Sequence, residues 1–170
     1  MSTVPELHRA QGPRVARVAV LTVSDTRTAA TDASGDLIVA RVEAAGHVVV
    51  DRRLVPDETN PIRDWVAGHA AGGEVDAAII TGGTGLSPRD VTPEAVEPLY
   101  TRPIPGFGEL FRHLSYAEIS TATIMSRASA GLVGALVVFV LPGSRAGVEL
   151  ALGRIVLPEL PHLVGQARKV

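Results

Sequence analysis

The sequence predicts an α/β fold with a mostly parallel sheet, on three observations. Short Val- and Leu-rich runs alternate with capped helical stretches along the whole chain, the order of βα units. Two of those runs, Arg17 to Val23 and Leu136 to Leu141, are almost wholly apolar, as strands buried on both faces are. Polar or glycine-rich segments come directly after them, where open parallel sheets carry their ligands.

Each element has its own signal. Arg17 to Val23 reads as a buried first strand. Asp36 to Ala45 reads as a helix with Ser34 as cap and Gly46 as stop. His47 to Val55 is the second strand. Asn60 then caps a helix with Pro61 at its first position, where proline loses no hydrogen bond, ending near Ala71 before Gly72 and Gly73. Asp76 to Ile80 is the third strand. Thr92 and Pro93 repeat the cap-plus-proline signature for a helix to Tyr100, and a short helix covers Gly108 to Ser115. Thr121 to Ser126 reads as a short edge strand and Leu136 to Leu141 as a central one. Pro142-Gly143-Ser144 turns into a helix through Val156, and Pro158 and Pro161 break the last helical stretch.

The chain has 170 residues, enough for one domain with an aliphatic core, since aromatics are only 4%. Residues 1–14, with three breakers, read as a flexible tail before a domain over 15–170. A net charge of −2 from 16 basic and 18 acidic residues argues against a nucleic-acid or membrane partner. With no cysteine, thiol catalysis and thiolate metal sites are excluded. The start of the chain lacks a signal-peptide pattern and no apolar run is long enough to span a bilayer, so a cytoplasmic protein is expected.

Thr81-Gly82-Gly83-Thr84-Gly85 carries the strongest local signal. Glycines behind a buried strand let backbone N–H groups approach phosphate oxygens, although a tight turn needs glycine too. The polar continuation Ser87, Arg89, Asp90, Thr92 before a helix start favours an anion site. It is no P-loop, lacking Gly-Lys-Ser/Thr, and it fails the dinucleotide fingerprint. Asp57 and Asp90, each behind a strand, can hold Mg²⁺ at a phosphate site, or serve as a turn residue and a helix-start acid. Ser24-Asp25-Thr26 can bind a ligand or cap a turn. Arg27, Arg89, Arg127 and Arg145 are phosphate clamps or solvated charges. Glu109, in Pro105-Gly106-Phe107-Gly108-Glu109, caps a helix or reads ligand N–H groups.

The fourteen residues from Thr81 to Glu94 resemble the signature segment of the MoaB/Mog molybdopterin-binding family. Thr22 to Arg27, Pro105 to Arg112, Ser126-Arg127 and Leu141-Pro142-Gly143-Ser144 agree in order and spacing, so the likeness runs from about Arg17 to Leu163. Where the family often has Pro-Lys after Leu-Pro-Gly-Ser, this chain has Arg145-Ala146.

That resemblance implies a three-layer α/β/α molybdopterin-binding fold and a homotrimer, or a hexamer of trimers. It implies Mg²⁺- and ATP-dependent adenylylation of the molybdopterin phosphate, releasing pyrophosphate, with the product passed to a molybdate-inserting enzyme. It maps catalytic, metal-holding acids onto Asp57 and Asp90. Binding residues map onto Ser24, Asp25, Thr81, Gly82, Gly83, Thr84, Gly85, Ser87, Glu109, Ser126, Arg127, Pro142, Gly143 and Ser144. A non-catalytic molybdopterin binder or carrier of the same pathway is the second reading.

Overall fold

The computed structural model describes residue 13 and residues 15–169. The tail expected over residues 1–14 lies, apart from Pro13, outside the described residues. Six strands form one mixed sheet: β1 (Arg17–Val23), β2 (Val48–Val55), β3 (Ala77–Thr81), β4 (Arg102–Pro103), β5 (Ser129–Val133) and β6 (Leu136–Leu141). Their order is β2-β1-β3-β6-β5-β4. The first four in that order run parallel, while β5 is antiparallel to β6 and β4 to β5.

Side chains alternate between the faces of each strand, and the core divides accordingly. Val18 and Val20 of β1, Ile79 of β3, and Val137, Phe139 and Leu141 of β6 point to one face. They meet helix α1 (Ala33–Ala44), helix α4 (Pro105–Ile119) and the C-terminal helix. Leu21, Ile80, Val138 and Val140 point to the other, under helices α2 (Thr59–Gly72) and α3 (Thr92–Val96). The result is the three-layer α/β/α arrangement.

Most elements fall within a few residues of expectation; the differences have physical causes. Asp32, not Ser34, caps α1: its carboxylate accepts from Gly35 N at 2.9 Å. Ser34 instead donates to the Gly143 carbonyl at 3.0 Å. Helix α2 starts after Glu58 with no side-chain cap, so Asn60 lies inside it. Helix α3 ends at Val96 and a 3-10 turn covers Glu97–Leu99, because Pro98 has no N–H to continue the ladder. Helix α4 runs 15 residues, starting on Pro105, and so extends the expected Gly108–Ser115 helix at both ends.

Thr121–Ser126 is not a strand. Ser120 turns the chain at φ 51°, and Ser120–Met125 forms a 3-10 helix folded back on α4, where Thr123 donates to the Arg112 carbonyl at 3.2 Å. The sheet edge is taken instead by β5 and β4, joined to β6 through Gly134 at φ 61°. Pro158 and Pro161 do not break the last helix. After α5 (Arg145–Ala151) the backbone widens to a π-helix over Leu152–Val156, the Leu157 amide reaching the Leu152 carbonyl, and α6 (Leu157–Ala167) continues.

Candidate ligand-binding rim

The carboxyl ends of β1, β2, β3 and β6 converge at one edge of the sheet. Strand order reverses between β1 and β3, since β2 lies outside β1, and ligands sit in such crevices. Ser24 and Asp25 come after β1, Asp57 after β2, the glycine loop after β3, and Pro142-Gly143-Ser144 after β6.

The glycine loop is built by close backbone approach. Gly82 lies at φ 98°, and a Cβ there would stand 2.1 Å from the Val23 carbonyl oxygen. Gly83 lies at φ 62°, where a Cβ would meet Thr92 Oγ1 at 2.3 Å and Asp57 Oδ1 at 2.8 Å. A Cβ on Gly143 would come within 3.3 Å of Gly82 Cα, so the β3 and β6 loops touch. Thr92 ties the loop to α3, its hydroxyl donating to Gly82 O at 2.9 Å and its amide to Gly83 O at 3.0 Å. The amides of Gly83, Thr84, Gly85 and Leu86 have no hydrogen-bond partner among the described residues.

Three carboxylates face this loop. Asp25 and Asp57 are joined by reciprocal bonds, and Arg89 donates to Asp25 Oδ2 through Nε at 2.9 Å and Nη2 at 2.6 Å. Asp90 Oδ2 accepts from Ser87 N at 3.2 Å, and a Cβ on Gly85 would be 2.9 Å from the same oxygen. The Arg89 guanidinium, helped by the Asp57 amide, holds Asp25 below its ordinary value. Burial and then the Asp25 charge push Asp57 up, with Asp90 adding to the rise against the Asp25 amide bond. Neighbouring carboxylates so separated in basicity are characteristic of functional sites.

A cavity of about 360 Å³ adjoins the loop, lined by Thr84, Gly85, Phe111, Ser126, Met125 and Pro142–Ser144 among others. Not every expected residue faces it. Thr81 is wholly buried and donates to the Pro142 carbonyl at 2.7 Å, so it fastens two loops together. Ser24 Oγ accepts from Thr26 N and Arg27 N at 3.3 and 3.2 Å, and Ser144 Oγ accepts from Gly147 N at 3.2 Å. Both are capping their own turns. Ser87 Oγ accepts from Arg89 N at 3.3 Å. Glu109 lines a separate cavity, with Glu97, Tyr100, Arg112 and Ser129, on the β5 side. The guanidinium of Arg127 is spent on loop carbonyls and Glu94. Arg27 donates to the Thr31 carbonyl at 3.1 Å.

Asp32 lies outside the set of expected site residues. It is 2% exposed and accepts from Thr22 Oγ1 at 2.8 Å, Gly35 N and Arg52 Nη2 at 3.1 Å. Behind the rim, it anchors the start of α1. Its sequence signal, an Asp three residues before a helix glycine, competes with the equally good cap signal of Ser34.

The fold and rim define a doubly faced α/β domain with an amide-rich loop opposite three carboxylates. A family model described as a probable molybdopterin binding domain matches residues 19–162. Molybdenum cofactor biosynthesis protein B of Bacillus subtilis (strain 168) is 45% identical over 163 residues, covering 95% of this chain and 96% of that protein. A crystal structure of a molybdenum cofactor biosynthesis protein B superposes with TM-score 0.88 at 42% identity, covering 91% and 97% of the two chains. The tungsten cofactor synthesizing protein MoaB from Pyrococcus furiosus superposes at 0.83 with 34% identity, covering 92% and 99%. The chain belongs to the MoaB/Mog family of molybdenum cofactor biosynthesis proteins.

Proposed function

We propose that this chain, with residues 15–170 as its molybdopterin-binding domain, transfers AMP from ATP to the terminal phosphate of molybdopterin. The observation that carries this reading is the opposition of two features across one crevice. One is the run of amides from Gly83 to Leu86, without partners among the described residues; the other is the trio Asp25, Asp57, Asp90. Amides attract phosphate oxygens, and carboxylates at the same rim suit a cation that accompanies ATP.

The donor set fits Mg²⁺. That ion takes one or two carboxylates and completes its octahedron with water and substrate phosphates. Among the described residues no group of three or more acidic, His or Cys side chains forms an all-protein cage. Asp57 and Asp90 would hold the ion, which when bound neutralises phosphate charge. A pterin phosphate oxygen forms a bond to the α-phosphorus of ATP. The bond from that phosphorus to its bridging oxygen breaks, and pyrophosphate leaves with the electron pair. The chain's own residues supply positioning and charge complementarity, the main needs of such transfers. The loop amides orient one phosphate, and the cavity beside Ser126 and Pro142–Ser144 shields the ligand from water. Adenylyl-molybdopterin then passes to a molybdate-inserting enzyme, and the chain works as a homotrimer or hexamer.

The test is incubation of the protein with molybdopterin and Mg·ATP, followed by detection of adenylylated pterin and pyrophosphate. Folded protein that binds molybdopterin yet forms neither product leaves the carrier reading. The Arg89 pair on Asp25 favours that alternative, because it satisfies one rim acid without any metal.

A further inference from the structure

We propose that Arg127 is the positioning residue of the glycine loop: from behind the loop it grips the backbone carbonyls and so turns the free amides toward the ligand. The consequence for binding rests on the reading of this loop as a phosphate site; the effect on loop order does not.

Arg127 Nε donates to the Thr84 carbonyl at 3.3 Å, and Nη2 donates to the carbonyls of Gly85 at 2.6 Å and Asp90 at 2.8 Å. Nη1 pairs with Glu94 Oε1. Three carbonyls spread over seven residues, Thr84 to Asp90, thus converge on one planar group. In a planar trans peptide the N–H points opposite to the preceding C=O. With the Thr84 and Gly85 carbonyls drawn to Arg127, the amides of Gly85 and Leu86 point away from it. Those are two of the amides without a partner among the described residues. A phosphate on that far side meets backbone donors and not the guanidinium.

Charge argues the same way. Glu94 neutralises Arg127, and the guanidinium has four of its five N–H groups engaged. What remains is a rigid fork that matches several carbonyls at once. A lysine cannot replace it, because one ammonium has three donors for four acceptors. The loop is also held at Gly82, whose amide donates to the Leu141 carbonyl, at Thr92, by the Ser87–Asp90 turn, and by Arg89 on Asp25. Without Arg127 the carbonyls of Thr84, Gly85 and Asp90 lose the group that gathers them, and Arg89 holds only the far part of the segment.

The experiment compares ligand-free wild type with Arg127→Gln, Arg127→Lys and Glu94→Gln. Backbone order parameters are read by NMR for residues 84–90, and inorganic tripolyphosphate affinity by calorimetry. In both Arg127 variants, order over 84–90 should fall below about 0.6 while β3 and β6 stay near about 0.85. Tripolyphosphate affinity should fall by about tenfold or more, the scale of one lost charged hydrogen bond. Glu94→Gln leaves the carbonyl contacts and should keep the loop ordered. Lost affinity with unchanged loop order would make Arg127 a direct ligand contact and overturn the proposal. So would unchanged order and affinity together, or full rescue by lysine. A wild-type protein that orders its loop through Arg127 but binds no tripolyphosphate would sink the phosphate-site reading alone.

Discussion

Asp25 and Asp57 hold each other across two strand ends: the amide of each donates to the carboxylate of the other, both at 3.0 Å. The bonds bring two negative charges together, and the protein separates their basicity. Arg89 keeps Asp25 ionised, while burial and the Asp25 charge push Asp57 up. A cation placed between these acids and a phosphate would relieve that repulsion.

If Asp57 and Asp90 hold the cation, Asp57→Asn and Asp90→Asn should each slow adenylylation by about a hundredfold or more, as when one preorganised electrostatic group is lost. Molybdopterin affinity should change little, because the loop amides carry its phosphate. The double variant should be less than additive. Turnover at the wild-type rate in both single variants would remove these acids from the chemistry.

The same Asp57 sets a pH dependence. Its folded value lies above the ordinary 3.8, so the folded state binds its proton more tightly than the unfolded chain. That stabilisation is present below 3.8 and is lost as pH rises through the folded value. At pH 7 the charged group is a liability, and Asp57→Asn, which keeps an acceptor for the Asp25 amide, should melt higher than wild type. The gain should shrink as pH falls through the folded value toward 3.8. In Arg89→Ala, carboxyl NMR should show Asp57 titrating higher still, since the Arg89 charge pulls it down. Equal melting of Asp57→Asn and wild type at pH 7 would contradict this.

Asp32 behaves oppositely. Burial raises its value, but the Gly35 amide, the Thr22 hydroxyl and Arg52 outweigh it, so it stays below 3.8. The stability it contributes is present above 3.8 and is lost as pH falls through the folded value. Asp32→Ala leaves Arg52 with Asp36 alone and should cost about 1–3 kcal/mol at pH 7, the scale for leaving buried donors such as the Gly35 amide without their acceptor. Urea titration at pH 7 measures it, and a loss under about 0.5 kcal/mol, as at an ordinary surface site, would show the cluster to be peripheral.

Gly83→Val should abolish tripolyphosphate and molybdopterin binding. Its φ of 62° disfavours a β-branched residue, and its Cβ would press on Thr92 Oγ1. The strain should cost about 1–3 kcal/mol, leaving a folded protein. Calorimetry and urea unfolding separate the two effects; unchanged affinity would reduce the loop to a turn.

Threefold assembly is expected to use the apolar surface of α4 and the 3-10 segment after it. Tyr116, Ile119 and Met125 are exposed there, and Ile124 is 80% exposed. Ile124→Arg should shift the light-scattering mass toward the monomer. A wild-type monomer at micromolar concentration would end the idea.

The α/β class, the parallel strands and the sites of the rim were legible because they rest on local signals: apolar runs, caps, and glycines behind strands. Asp57, Asp90 and the Gly82–Gly83 loop come together as their places after β2 and β3 require. The strand expected over Thr121–Ser126 failed because β-propensity says nothing of which edge is free, and β4 and β5 occupy it. The helix break expected at Pro158 failed because the π-helix before it rearranges the ladder.

Polar side chains show the same division more sharply. Composition and motif determined that Thr81, Ser24 and Glu109 stand near strand ends and helix starts, whereas the strand expected before Arg127 is a 3-10 helix. Only the tertiary structure decided that Thr81 fastens Pro142, that Glu109 opens on a different cavity, and that Arg127 serves the loop backbone. Arg127 and Gly85 are 42 residues apart in sequence, and Asp25 and Asp57 are 32. A residue's type sets which hydrogen bonds it can make, but a bond is directional and short-ranged, so its partner exists only once the packed sheet has brought distant strand ends within about 3 Å of one another.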